Sequence, residues 1–228
     1  MIDHWDLRLA ATMSFVGILL SFVAGIFHPE REPANVHAAA FAEYASSSNW
    51  TLVHLGQFAG MGLLIAGLLF LFFALNGNGG TTLWVGRLGV ATATAALALY
   101  AVLQAVDGVA LKQAVDTWAR APDAEKLARF ASAEAIRWLE WALRSYFSYM
   151  LGLTLIVLGV VIVRSGQLPR PIGYLMGLSG LAYLAQGWIL GSEGFSASNT
   201  LPTLLGIVLI VAWSVWLLIV AWRTSRLP

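Results

Sequence analysis

The chain has 228 residues, 59% of them hydrophobic and only 11% charged, with a mean hydropathy of +0.75. Soluble domains carry about a quarter charged residues, so this composition belongs to a chain built for lipid. A formal net charge of +1 gives no electrostatic case for nucleic acid, and the lack of cysteine excludes disulfides, iron–sulfur clusters, thiolate metal sites and cysteine nucleophiles.

Six apolar stretches approach the roughly 20 residues that a helix needs to cross a bilayer. The expected fold is all-α: a single integral membrane domain over 1–228, with helices near 7–27, 52–75, 83–119, 123–164, 171–190 and 202–222. His4 and Trp5 precede the first helix as an interfacial anchor. That first run is too long for a signal peptide, has acids before it and no small-residue cleavage site after it, so it reads as a retained helix.

Prolines at 29 and 33 end the first helix, and residues 28–51 form a lid segment across the outer face. Within it, Asn35 is expected to cap a short helix with His37, Phe41 and Tyr44 on one side. The second helix carries Gly56 and Gly60 as a small-residue packing face, with His54, Gln57 and Met61 roughly opposite. A short inner turn at 76–80 leads into the third helix. Reflection about residue 79 puts His54 level with Gln104.

The third helix runs on through Gln104 and Asp107 to about Trp118, and the fourth restarts at Pro122-Asp123 with Glu125 in its first turn. The pair predicts a long helical hairpin protruding on the outer face. In it, positions whose numbers sum to about 241 share a height, so Asp107 faces Glu134 and Gln104 faces Arg137. At about 100° per residue, Asp107 shares a stripe with Leu111 and Trp118, and Glu134 one with Leu127, Phe130, Trp138 and Trp141. Lys112 falls on the outward side. Glu134, Arg137, Glu140 and Arg144 alternate in sign at helical spacing, which also fits a salt-bridge ladder among headgroups. Gly173, Gly177 and Gly180 mark the packing face of the fifth helix, and reflection about residue 167 places Glu193 level with Glu140 or Trp141.

An even number of crossings puts both termini on one side. That side holds Arg8, Arg87, Arg164, Arg170, Arg223 and Arg226 with only Asp3 and Asp6. The other side carries ten acids against seven basic residues, so the short, acid-free loops fit the cytoplasm. The expected location is the cytoplasmic membrane with both termini inside.

The stretches HLGQF (54–58), LQAVDGVALK (103–112), AEAIRWLEWAL (133–143) and EGFS (193–196) resemble a family of six-helix bacterial, often actinobacterial, membrane proteins of unknown function. The resemblance covers nearly the whole chain. It implies the six-helix topology and carries no activity.

The candidate ligand-binding residues are His54, Gln57, Gln104, Asp107, Glu134, Arg137, Trp138, Glu140 and Glu193, which gather toward the outer leaflet. Three uses of such a pocket stand open. Arg137 could simply balance Asp107 and Glu134 in an internally satisfied cluster. The pocket could hold a small or amphipathic ligand, in a binding or accessory protein or a proton-coupled transporter. Or His54, Asp107 and Glu134, joined by His28 or His37 from the lid, could bind a divalent metal in a hydrolase of lipid or amide substrates. Neither haem nor retinal is favoured: the histidines lack partners on facing helices, and Lys112 and Lys126 are the only lysines.

Overall fold

The computed structural model describes residues 4–30, 32–75 and 81–223; the expected turn at 76–80, together with Arg31 and Arg226, lies outside the described residues. In chain order the helices are α1 (His4–Ile26), α2 (His37–Ser46), α3 (Trp50–Leu75), α4 (Thr81–Ala105), α5 (Lys112–Arg120), α6 (Asp123–Ser165), α7 (Arg170–Glu193) and α8 (Thr200–Arg223). A π-helical turn, Val106–Leu111, joins α4 to α5, and a 3₁₀ turn, Ala197–Asn199, precedes α8. No strand occurs among the described residues.

Among the described residues, five segments are long and apolar enough to cross a membrane: His4–Ile26, Trp50–Leu75, Trp84–Arg120, Asp123–Ser165 and Ala197–Arg223. The expected sixth, α7, has 24 residues, but its glycines, serines, tyrosines and Gln186 dilute the apolar run. Large hydrophobic side chains such as Leu19, Phe73, Trp188 and Val208 are exposed along these helices, as lipid-facing surfaces require.

Where lipid removes the hydrophobic drive between helices, close packing must hold them together, and small residues allow it. Gly60 and Gly67 of α3 lie against the backbone of α1 at Gly17 and Ser14, so an added Cβ at either would strike main chain. Gly152 and Gly159 of α6 meet Gly180 and Gly173 of α7 in the same way. The expected packing faces on these helices are therefore present. A core of Leu64, Leu68, Phe72, Leu103, Leu151, Leu155, Trp213 and Leu217 runs between them.

Pro122 precedes α6, Asp123 and Glu125 occupy its first turn, and Gly166 ends it with a left-handed φ of 64°. Its 43 residues span about 65 Å, roughly twice a hydrocarbon core. The extra length pairs with α5, where Trp118 and Phe130 meet edge to face at 5.7 Å. Over this hairpin lies α2, with Phe41, Tyr44, Trp50, Leu111, Val115 and Ala133 forming a small core of their own.

Two local expectations change. Asn35 does not cap α2; its amide donates to the Glu193 carbonyl and its Oδ1 accepts from the Phe195 N–H, both at 2.9 Å, tying the lid to the α7–α8 connection. Lys112 does not point away from the fold. Its ammonium donates to the Tyr44 and Ala45 carbonyls at 3.1 Å and to Asp116 at 2.7 Å, closing the carbonyl end of α2.

Candidate functional site

Three chain segments meet where the bundle ends and the hairpin begins. Trp50 opens α3, and one turn later its carbonyl accepts from His54 Nδ1 at 2.8 Å. That bond places a proton on Nδ1, and Nε2 lies 3.1 Å from Asp107 Oδ2. The contact is bent off the line a ring N–H bond would need, and Asp107 Oδ1 has no hydrogen-bond partner among the described residues.

Asp107 sits in the π turn, and this turn is bound to α3. The Trp50 indole N–H donates to the Asp107 carbonyl at 2.9 Å, and the Thr51 hydroxyl to the Gly108 carbonyl at 3.4 Å. Gly108 is required by this approach, because a Cβ there would overlap the Cβ of His54. The π turn inserts a residue into the helical count. Asp107 nevertheless stays on the inward stripe with Leu111 and Trp118, and its carboxylate meets His54 of α3 and not Glu134.

His28, just past the end of α1, completes the group. Its ring lies 5.1 Å from Trp50 and 5.2 Å from His54, and its Nδ1 is buried without a hydrogen-bond partner, 3.5 Å from the exposed Glu30. Burial pushes its pKa down to about 4, so the ring is neutral at ordinary pH. His28, His54 and Asp107 bring one ligand atom each within 4.8 Å of one another. Two nitrogens and a carboxylate oxygen suit zinc, iron or manganese, and tetrahedral zinc needs its ligand atoms about 3.3 Å apart, a modest contraction.

Beside this trio a second pair is buried on α6. Arg137 is ion-paired with Glu140, and their side chains are only 4% and 1% exposed. Arg137 Nη2 also donates to the Tyr44 hydroxyl at 3.2 Å, and its guanidinium lies 4.9 Å from the Phe195 ring. Both members interact electrostatically with Asp107. Because Glu140 takes up its charge, Arg137 is a weaker obstacle to a cation at Asp107 than an unpaired guanidinium would be.

The remaining expected residues divide. Glu134 leaves the group: it accepts from His37 Nδ1 at 2.8 Å, with 29% of its side chain exposed. Trp138 is 54% exposed and Leu127 82%, so the inward stripe of α6 is Ala133, Arg137, Glu140 and Phe147, not the row through Glu134 and Trp138. Glu193 is exposed and held by the Ser196 hydroxyl at 2.7 Å. Gln104 is buried and lines, with His54, an apolar groove of about 230 Å³ between α3 and α4. A polar cleft of about 460 Å³ reaches His28 from beside Glu43 and Asn49. Gln57 lines a separate cavity. Tyr44 and Trp50 complete the site without having been expected there, although Trp50 stands one helical turn before His54, where its carbonyl can accept from the ring.

Residues 9–221 match a family described as "Domain of unknown function (DUF4386)". No curated protein and no solved structure matches the chain.

Proposed function

The chain belongs to the DUF4386 family, a domain whose function is unknown, and from the geometry of its site we propose that it is an integral membrane protein holding a divalent transition metal between His28, His54 and Asp107. One observation carries the reading: two imidazoles and a carboxylate converge, His54 and Asp107 buried and His28 partly so, and each has an atom with no hydrogen-bond partner among the described residues. A bare lone pair facing a carboxylate is repulsive unless a cation lies between. The Trp50 carbonyl, taking the other N–H of His54, is the partner that metal-bound histidines ordinarily have.

The proposed topology has α7 as a sixth crossing, supported by its seam of glycines against α6, and both termini in the cytoplasm. The trio then lies just beneath the outer surface. Three protein ligands leave a fourth position for water or for an oxygen of a small ligand. The cleft at His28 gives that position an aqueous approach and the groove at His54 an approach from lipid. A water-bearing centre reached from both phases suits ligand binding and, in enzymatic form, hydrolysis of an amphipathic ester or amide.

The rival occupant of the same gap is a proton, making His54 and Asp107 an ordinary ion pair. Metal analysis separates them. Protein purified gently without chelator should carry close to one equivalent of zinc, iron or manganese, and His54→Ala and Asp107→Asn should each lower this at least tenfold, while Glu134→Gln should not. Absence of stoichiometric metal, together with no visible ligand-field bands on adding cobalt(II), would leave the ion pair as the whole explanation.

A further inference from the structure

A second cavity, of about 270 Å³, lies among α1, α3, α4, α6, α7 and α8 and contains none of the proposed metal ligands. Its lining is graded. On α3, Gln57 is followed away from the hairpin by Met61 and Leu64; on α6, Arg144 by Phe147; on α8, Thr203 by Ile207 and Ile210. The hairpin end of the cavity is thus polar and the far end apolar.

The polar end is made of donors. Ser148 donates to Gln186 Oε1 at 3.2 Å, and Gln186 Nε2 donates to Thr203 Oγ1 at 2.8 Å. The relay leaves the Thr203 O–H free to point onward. Ser21 Oγ, also in the lining, is buried without a partner. Arg144 is half-buried, and among the described residues no carboxylate lies within ion-pairing distance of it; its guanidinium lies 5.6 Å from the Phe195 ring. Its charge acts at longer range on Glu140, one turn back, and on the Tyr100 and Tyr183 hydroxyls that line the cavity. Glu140, four residues back, is ion-paired with Arg137 and makes no direct contact with Arg144, so the Arg144 guanidinium keeps donors free for an anion, and the apolar floor calls for a chain.

We propose that this cavity binds a single-chain anionic amphiphile, a fatty carboxylate or an alkyl phosphate, with its headgroup on Arg144 and its chain along Leu64, Phe147 and Ile210. The volume of about 270 Å³ falls just below the usual range for small-molecule pockets, which limits the occupant to one chain and a compact headgroup. The bidentate fork of Arg suits either anion.

The test uses the full chain in neutral maltoside micelles, titrated with dodecanoate, dodecyl phosphate and dodecyltrimethylammonium, and with acetate and inorganic phosphate as chainless controls. Saturable binding is expected for the two anionic amphiphiles, at least tenfold tighter than for the cation and for the chainless anions; the tighter of the two assigns the headgroup. Arg144→Gln should weaken binding at least tenfold, and Arg144→Lys less. A Cβ at Gly206 meets only ordinary van der Waals contacts, so Gly206→Leu should fill the cavity and abolish binding with Arg144 intact. Metal content should stay unchanged in all three variants. Binding indifferent to headgroup charge, or wild-type binding by both Arg144→Gln and Gly206→Leu, would overturn the proposal; should Arg144→Gln fail to fold, Arg144→Lys and Gly206→Leu decide.

Discussion

Two arginines stand seven residues apart on one face of α6, two turns or about 10.5 Å along the same helix. Arg137 has a carboxylate three residues on, in Glu140, and the pair is sealed from solvent. Arg144 has Phe147 and Ser148 at the corresponding positions and looks into a cavity. The difference teaches that a charge's meaning in this bundle is set by its i+3 and i+4 neighbours. A guanidinium neutralised by its own helix is architecture, and one left for a partner is a binding group.

Breaking the closed pair should produce the largest effect. Glu140→Gln leaves a buried, unmatched guanidinium and should cost about 3–5 kcal/mol of unfolding stability. Arg144→Gln, at a half-buried position where Glu140 keeps Arg137 as its direct partner, should cost less than about 1 kcal/mol. Replacing both members, Arg137→Met with Glu140→Leu, should recover most of the loss. Denaturation in micelles measures all three; equal losses at Glu140 and Arg144 would erase the distinction.

Next in size is the glycine that lets α3 approach the π turn. Gly108→Ala puts a methyl into His54, and such overpacking costs about 1–3 kcal/mol. The same displacement moves His54 off Asp107, so metal content should fall with stability. Loss of stability with full metal occupancy would show that the trio does not depend on this contact.

The height of the polar cluster was legible in the sequence, because helical rise is the same whatever a side chain faces. Its facing was not. The stripe of α6 could have been phased from its apolar half: Phe147, Leu151, Leu155 and Leu158 are buried, and stepping back by three and four from Phe147 reaches Arg144, Glu140, Arg137 and Ala133. Phasing from the hairpin tip instead selected Glu134 and Trp138, one position round. The π turn has no comparable signature in VDGVAL, and nothing in residue type says that the Asp107 carboxylate meets His54 and not Glu134. Asn35 and Lys112 were misplaced for another reason: their partners, the Phe195 amide and the Tyr44 and Ala45 carbonyls, are backbone groups far along the chain, which residue types do not reveal.

A smaller effect is expected at Tyr44, which joins the lid to the closed pair. Tyr44→Phe removes the acceptor for Arg137 Nη2 and should cost about 1–2 kcal/mol near neutral pH. Burial raises the Tyr44 pKa to about 12 from the usual 10. Above pH 10 the unfolded chain therefore loses this proton before the folded one does. Its contribution to stability is present below pH 10 and drains away between 10 and 12, by about 1.4 kcal/mol per pH unit. The stability difference between wild type and Tyr44→Phe should shrink over that window; a constant difference would mean that Tyr44 ionises no later in the fold than out of it.

The smallest effect separates an acid on the rim from the acids inside. Glu134 is partly exposed and its partner His37 belongs to the lid, so Glu134→Gln removes an ion pair that water already screens and should cost no more than about 1 kcal/mol. The amide still accepts from His37, so α2 should stay docked through Phe41 and Tyr44. Protease sensitivity of the lid reads this directly. If Glu134→Gln releases α2 to cleavage, the lid is fastened by charge at its rim and not by the aromatic core beneath it, and the contrast between a neutralised interior and a screened edge fails at this position.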